Sequence, residues 1–150
     1  MNQYRSILLA EDSPHDIELT LSALREHNLA NDMIVVHDGV EALDYLRCRG
    51  KFVGRTNGHP AVILLDLKMP KVDGLEVLRT VKADPDLRLI PIVILTSSGE
   101  ERDLIESYRQ GVNAYVVKPV DFQQFVRAVS QLGVFWAVIN EPPPGPSRVA

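Results

Sequence analysis

Only one cysteine, Cys48, occurs in the 150-residue chain. An internal disulfide is therefore excluded, which fits a reducing cytoplasm, and no Cys or His lies at metal-ligand spacing from Cys48. A basic excess is missing too: 16 Lys and Arg against 20 Asp and Glu leave a net charge of −4. Broad nucleic-acid binding normally shows a basic face, so that class is set aside. No window reaches the roughly 20 apolar residues of a membrane span. The stretch Met1-Asn2-Gln3-Tyr4-Arg5-Ser6 lacks the apolar core of a signal peptide. Solenoid repeats are absent, and low-complexity sequence is confined to the last ten residues. The expectation is a cytoplasmic protein with neither nucleic acid nor membrane among its partners. At this length, with 45% apolar and 24% charged residues, one domain with a single good core is expected.

What is present is organised around Ala61 to Gly74. Ala61-Val62-Ile63-Leu64-Leu65 is an unbroken apolar run of strand length, the pattern of a strand covered on both faces. Asp66 ends it, and Pro70 with Asp73-Gly74 marks the following loop. Four further strands are expected at Ile7–Ala10, Met33–Val36, Ile90–Leu95 and Ala114–Val117, with Pro91 at the start of its strand. A helical segment follows each. Asp38 with Glu41, Asp73 with Glu76, Ser98 with Glu101 and Asp121 with Gln124 have capping-box spacing, and Ser13-Pro14 is an N-cap followed by Pro at N1. Helical period appears in Ile17, Leu21 and Leu24; Val40, Leu43 and Leu46; Leu75, Leu78 and Val81; Leu104, Ile105 and Tyr108; and Phe122, Phe125, Val126 and Val129. Gly111 suits the closing residue of the fourth helix, and Arg49–Pro60 is the longest loop. Five βα units in succession imply an α/β fold with a parallel sheet and helices on both faces.

Polar residues follow the strands: Glu11-Asp12 after the first, Asp66 after the third, Thr96 after the fourth and Lys118-Pro119 after the fifth. In an open α/β sheet the ligand site lies beyond these carboxyl ends. Three carboxylates crowded there repel one another and need a cation. Lys118 supplies one charge, and the remaining oxygen ligands suit Mg²⁺. Thr96 and Lys118 are donors of the kind placed around a transferred phosphoryl group. Each residue taken singly can also be a turn cap or a surface charge.

The motifs Ile7-Leu8-Leu9-Ala10-Glu11-Asp12, Asp38-Gly39-Val40-Glu41-Ala42-Leu43, Leu64-Leu65-Asp66-Leu67-Lys68-Met69-Pro70, Asp73-Gly74, Leu95-Thr96-Ser97 and Tyr115-Val116-Val117-Lys118-Pro119 stand in this order. With them the chain resembles the receiver domain of two-component response regulators from about Tyr4 to Gln131. The resemblance implies a single (βα)5 doubly wound, five-stranded parallel sheet of flavodoxin/CheY-like type, order 2-1-3-4-5. It implies that Asp66 accepts a phosphoryl group from a sensor histidine kinase. Glu11, Asp12, Asp66 and the backbone carbonyl of Lys68 would hold Mg²⁺, with Mn²⁺ or Ca²⁺ able to replace it. Lys118, Thr96 and the backbone N–H of Ser97 would bind the phosphoryl oxygens. Thr96 and Tyr115 would form the switch, and the Lys118–Pro119 bond would be cis. Glu11 departs from the Asp that many relatives carry, though its longer side chain can still reach the metal, usually through water. His15, His27, His37 and His59 read as surface or loop residues.

A domain over residues 1–131 leaves an extension over 132–150. Val134, Phe135, Trp136, Val138 and Ile139 make a segment apolar nearly all round, which must be buried; Pro142-Pro143-Pro144 ends it in a Pro-rich tail. The expectation is an extended C-terminal helix forming a homodimer or kinase-docking surface, the alternative being that it folds back on its own core. Such a tail resembles regulators paired with phytochrome-type kinases. Two other functions share parts of the pattern. An aspartyl-nucleophile phosphatase normally has a second Asp two residues after the first, where this chain has Lys68. A flavodoxin-like cofactor binder needs a Gly/Ser/Thr-rich loop after the first strand, where this chain has Glu11-Asp12-Ser13-Pro14.

Overall fold

Strand β1 (Ile7–Ala10) lies wholly buried at the second position of a five-stranded parallel sheet of order β2-β1-β3-β4-β5. The computed structural model describes residues 6–25, 32–97, 109, 111–112 and 114–132. The other strands are β2 (Met33–Val36), β3 (Val62–Asp66), β4 (Ile92–Thr96) and β5 (Tyr115–Val117). The helices are α1 (Pro14–Arg25), α2 (Gly39–Arg47), α3 (Gly74–Ala83) and α4 (Phe122–Gln131). The segment around Leu104, Ile105 and Tyr108, its Ser98–Glu101 cap, and Val134 to Ile139 with the Pro-rich tail lie outside the described residues.

Because successive side chains on a strand point to opposite faces, the apolar runs feed two cores. Leu8, Ala10, Ile63, Leu65, Ile92 and Ile94 pack under α2 and α3, with Ala42, Leu46, Leu78 and Val81. Ile7, Leu9, Val62, Leu64, Val93, Leu95 and Val116 pack under α1 and α4, with Leu24, Phe125 and Val129. Each fully buried Leu, Ile or Val contributes roughly 1.5–3 kcal/mol, so the two-sided sheet decides that the helices form at all. Local chemistry decides where they begin: Asp38, Asp73 and Asp121 accept the N3 amides of Glu41, Glu76 and Gln124 at 2.8, 2.9 and 2.8 Å. Ser13 Oγ accepts the amide of Asp16 at 3.3 Å.

Several details differ from the sequence expectation. β3 and β4 start later and end one residue further, so that Pro91 falls just before its strand and Asp66 and Thr96 are the last strand residues, and β5 starts at Tyr115 rather than Ala114. The buried side of α2 is Ala42, Tyr45 and Leu46, while Val40 is 41% exposed. A Cβ on Gly39 would collide with the carbonyl of Val72; this close approach turns the helix start so that Val40 faces out. The loop after α2 contains a 3₁₀ turn (Gly50–Phe52), and Arg55 stacks over the Tyr45 ring at 4.0 Å while donating to the Tyr45 carbonyl through Nε at 3.0 Å. Cys48 takes the left-handed closing position of α2 (φ 54°), a structural use of its backbone.

Candidate functional site

Register brings the polar residues together. Ala10 pairs with Leu65, so Glu11 comes level with Asp66; Thr96 pairs with Val117, so Lys118 follows directly. Glu11 N donates to the Val36 carbonyl at 3.0 Å and Lys118 N to that of Thr96 at 2.8 Å, extending the ladders by one rung. Ile7 and Leu9, Val62 and Leu64, and Val116 face the α1/α4 core. Alternation then puts Glu11, Asp66 and Lys118 in that same phase, at the α1 side of the sheet edge. Thr96 continues Ile92 and Ile94, the opposite phase.

The consequence is a four-membered ionic cluster. Lys118 Nζ lies 2.7 Å from Glu11 Oε1, 3.3 Å from Asp66 Oδ2 and 3.3 Å from Asp16 Oδ2. The side chains of Glu11, Asp66 and Lys118 are 1%, 5% and 15% exposed. Glu11 Oε2 accepts the Ser13 amide and Asp66 Oδ1 the Lys68 amide, each at 3.2 Å. Asp12 is exposed above them, and Glu11, Asp12 and Asp66 each present a carboxylate oxygen within 4.8 Å of the others. Asp66 is therefore the floor of the site, with Asp12 at its open side.

Charge in this cluster is unbalanced. Burial pushes the Glu11 carboxyl up to about 7, and the Asp66 carboxyl beside it adds to the rise against the pull of Lys118 and the Ser13 amide. Burial alone would lower the Lys118 ammonium, but its contacts with Glu11, Asp66 and Asp16 outweigh that and raise it. A hard divalent ion fits this donor set, because it takes oxygen ligands and offsets the negative charge that Glu11, Asp12 and Asp66 bring together. Where Glu11 is a ligand it must be ionised, so divalent-ion affinity is expected to be about tenfold weaker at pH 6 than at pH 8. Titration calorimetry at the two pH values, in buffers of different ionisation enthalpy, checks this; equal affinities and no proton release would contradict it. Without a divalent ion, the same shift makes folding stability fall as pH rises from 4.5 towards about 7, since the folded chain holds that proton more tightly.

The loop between β3 and α3 is fixed from two sides. Gly74 N donates to the Leu67 carbonyl at 2.9 Å, and any Cβ on Gly74 would strike the Asp66 carbonyl oxygen and Leu67 Cα. Lys71, at φ 66°, pairs with Asp38 at 3.4 Å. Lys68, whose carbonyl is a metal ligand only by the receiver-domain resemblance, is thus held in a short braced segment. On the far side, the Lys118–Pro119 peptide bond is cis. Gln124 braces that turn, accepting the Val117 amide at 3.1 Å and donating to the Val117 carbonyl at 3.2 Å and the Asp121 carboxylate at 3.0 Å.

Thr96 Oγ1 donates to the Ser97 carbonyl at 3.1 Å, and Ser97 is exposed at the same edge. Tyr115 sits on β5 with 43% of its surface exposed. His15 and His37 are exposed, His37 Nδ1 lying 3.2 Å from Glu41 Oε1, and His59 is a half-buried residue of the loop after α2; His27 lies outside the described residues. Sequence reasoning missed two residues. Asp16 was not linked to Lys118, 102 residues away, because no local spacing in the sequence points from one to the other. Gln124 fits the N3 place of a capping box, yet its amide also holds β5 through Val117.

Among the described residues no helix is long and apolar enough to cross a membrane. The response regulator receiver domain profile matches residues 7–130. Response regulator Rcp1 of Synechocystis sp. is 38% identical over 135 residues, covering 90% of each chain; its Mn²⁺-bound structure superposes with a TM-score of 0.73 at 36% identity, over 94% of this chain and 99% of that one. The bacteriophytochrome response regulator AtBRR gives a TM-score of 0.86 at 61% identity, over 93% of this chain and 99% of that one. The phosphorylated cyanobacterial phytochrome response regulator RcpA gives 0.74 at 37% identity, over 95% and 99%. With its sheet order and its edge of acidic residues and lysine, the chain belongs to the response regulator receiver domain family, and its close homologues are phytochrome-associated response regulators.

Proposed function

We propose that this chain is a phosphoacceptor signalling module, taking a phosphoryl group on Asp66 from a phosphohistidine of a sensor histidine kinase of the bacteriophytochrome class. The observation that carries the reading is the placement of Asp66 Oδ2 at 3.3 Å from Lys118 Nζ, with Glu11 and Asp12 oxygens within 4.8 Å. An Asp66 oxygen attacks phosphorus, the P–N bond to the histidine breaks with its electron pair leaving on the imidazole, and an aspartyl phosphate forms. Lys118 holds one phosphoryl oxygen. Thr96 turns its hydroxyl from the Ser97 carbonyl towards the new anion, and the Ser97 amide donates beside it. Tyr115 follows on β5 as the exposed half of the switch, a local charge event biasing a packed element. Glu11, Asp12, Asp66 and the Lys68 carbonyl would hold Mg²⁺, which neutralises phosphoryl oxygens when bound. The Mn²⁺-bound form of Rcp1 and the phosphorylated form of RcpA support this for relatives.

The domain spans residues 1–131, and no turnover of an external substrate is assigned to it. The signal leaves in the cytoplasm through protein contacts, with Val134, Phe135, Trp136, Val138 and Ile139 forming a homodimer surface. Transfer from phosphorylated sensor kinases tests the reading. A rapid loss of label from one phytochrome-type kinase, matched by its appearance on this chain, is expected. Truncation after Gln131 should keep that transfer and convert the dimer to a monomer in light scattering. Transfer from no such kinase would sink the kinase assignment, and an unchanged mass after truncation would sink the dimer surface.

A further inference from the structure

Lys118 is bound by one carboxylate more than the phosphoryl site uses. An ammonium has three N–H donors and no acceptor, and Glu11, Asp66 and Asp16 each lie within ion-pair distance of it. Glu11 and Asp66 end strands of the sheet. Asp16 comes from elsewhere, the first turn of α1, 102 residues from Lys118. Its backbone is fixed there by the Ser13 cap, since the Asp16 amide donates to Ser13 Oγ at 3.3 Å. Asp16 Oδ2 stands as far from the ammonium as Asp66 Oδ2 does, both at 3.3 Å, so the two carboxylates compete on equal geometric terms. They differ in surroundings: the Asp16 side chain is 32% exposed and that of Asp66 5%.

A phosphoryl group on Asp66 adds nearly two negative charges and three acceptor oxygens. To serve it, the ammonium must give up a partner. Asp16 is the partner that can be released at least cost, because water replaces the contact at a part-exposed carboxylate but not at Glu11. Until then it draws the ammonium towards α1 and adds a negative charge facing any anionic phosphodonor. Both effects have the same sign. We propose that Asp16 is a positioning residue that holds Lys118 back in the resting state and thereby slows phosphorylation of Asp66. This rests on Asp66 being the acceptor.

A purely structural role gives a different expectation. An acidic residue in a first helical turn interacts favourably with the helix dipole, so neutralising it would lower stability and leave phosphorylation unchanged. Acetyl phosphate separates the two. In that reaction an Asp66 oxygen attacks phosphorus, the P–O bond to the acetyl group breaks, and acetate leaves with the electron pair. At saturating Mg²⁺, Asp16→Asn and Asp16→Gln are expected to be labelled about three- to tenfold faster than the parent chain, the range set by screening of a part-exposed charge. Asp16→Glu restores the charge and should return the rate to within about twofold of the parent. Thermal melts identify which variants are folded, and either neutral variant suffices. A folded neutral variant labelled no faster than the parent, or an Asp16→Glu rate equal to the neutral ones, overturns the inference while leaving Asp66 as acceptor. A parent chain that takes no label, or an Asp66→Asn chain that takes as much as the parent, overturns the acceptor reading and the inference with it.

Discussion

Asp66→Asn is expected to leave a folded chain whose labelling by acetyl phosphate falls to background. The amide has nearly the shape of the carboxylate, and its oxygen can keep the 3.2 Å bond from the Lys68 amide. What it loses is the charge that makes the oxygen a nucleophile and pairs with Lys118 at 3.3 Å. Loss of fold is not expected, because removing one of two adjacent buried acidic groups relieves the repulsion that contributes to the raised Glu11 carboxyl. The Glu11 pKa should therefore come down in the variant, and a carboxyl NMR titration would show it. Intact mass after incubation with acetyl phosphate and Mg²⁺ reads the main effect, with far-UV circular dichroism confirming the fold. Label retained at the parent's level would mean that another side chain is the acceptor.

Parallel strands with apolar side chains on both faces write themselves into the sequence as plain apolar runs, so β1, β2 and β3 could be read almost to the residue. Helix starts were equally legible, because the caps at Asp38, Asp73 and Asp121 are local chemistry. The face that a helix buries was harder. Periodicity alone made Val40 part of the α2 stripe, yet the approach of Gly39 to the Val72 carbonyl, a contact between distant segments, turned it outward. The Arg55 staple on the Tyr45 carbonyl is invisible for the same reason, since any residue offers a carbonyl.

In the site, strand ends revealed Glu11, Asp66, Thr96 and Lys118 because a parallel sheet brings all its carboxyl ends to one edge. Strand phase carries a finer message that the bare motif order does not. Glu11, Asp66 and Lys118 fall on one side and Thr96 on the other, where its hydroxyl donates to the Ser97 carbonyl. Asp16 escaped because a helix residue declares no target; its partner is set by how α1 seats on the sheet.

Lys118→Ala should show how much of the site's stability is charge balance. Removing one partner of a buried pair typically costs about 3–5 kcal/mol, since the remaining charge is left uncompensated. Here the cost has an outlet: Glu11, already raised to about 7, takes up a proton. A carboxyl raised in the folded state contributes destabilisation that is absent below its unfolded value and complete above its folded one. The variant should thus lose about 2–4 kcal/mol at pH 8 and much less at pH 5.5 in urea melts. Adding Glu11→Gln should recover most of the loss at pH 8, a coupling between adjacent groups that a double-mutant cycle measures. Excess Mg²⁺ should also recover it, because a divalent ion replaces the missing positive charge among Glu11, Asp12 and Asp66. Phosphoryl-dependent signalling should stay lost under both rescues, as neither supplies an N–H donor at the place of Lys118 Nζ. A loss independent of pH, undiminished by Glu11→Gln, would instead assign Lys118 a packing role through its aliphatic stem.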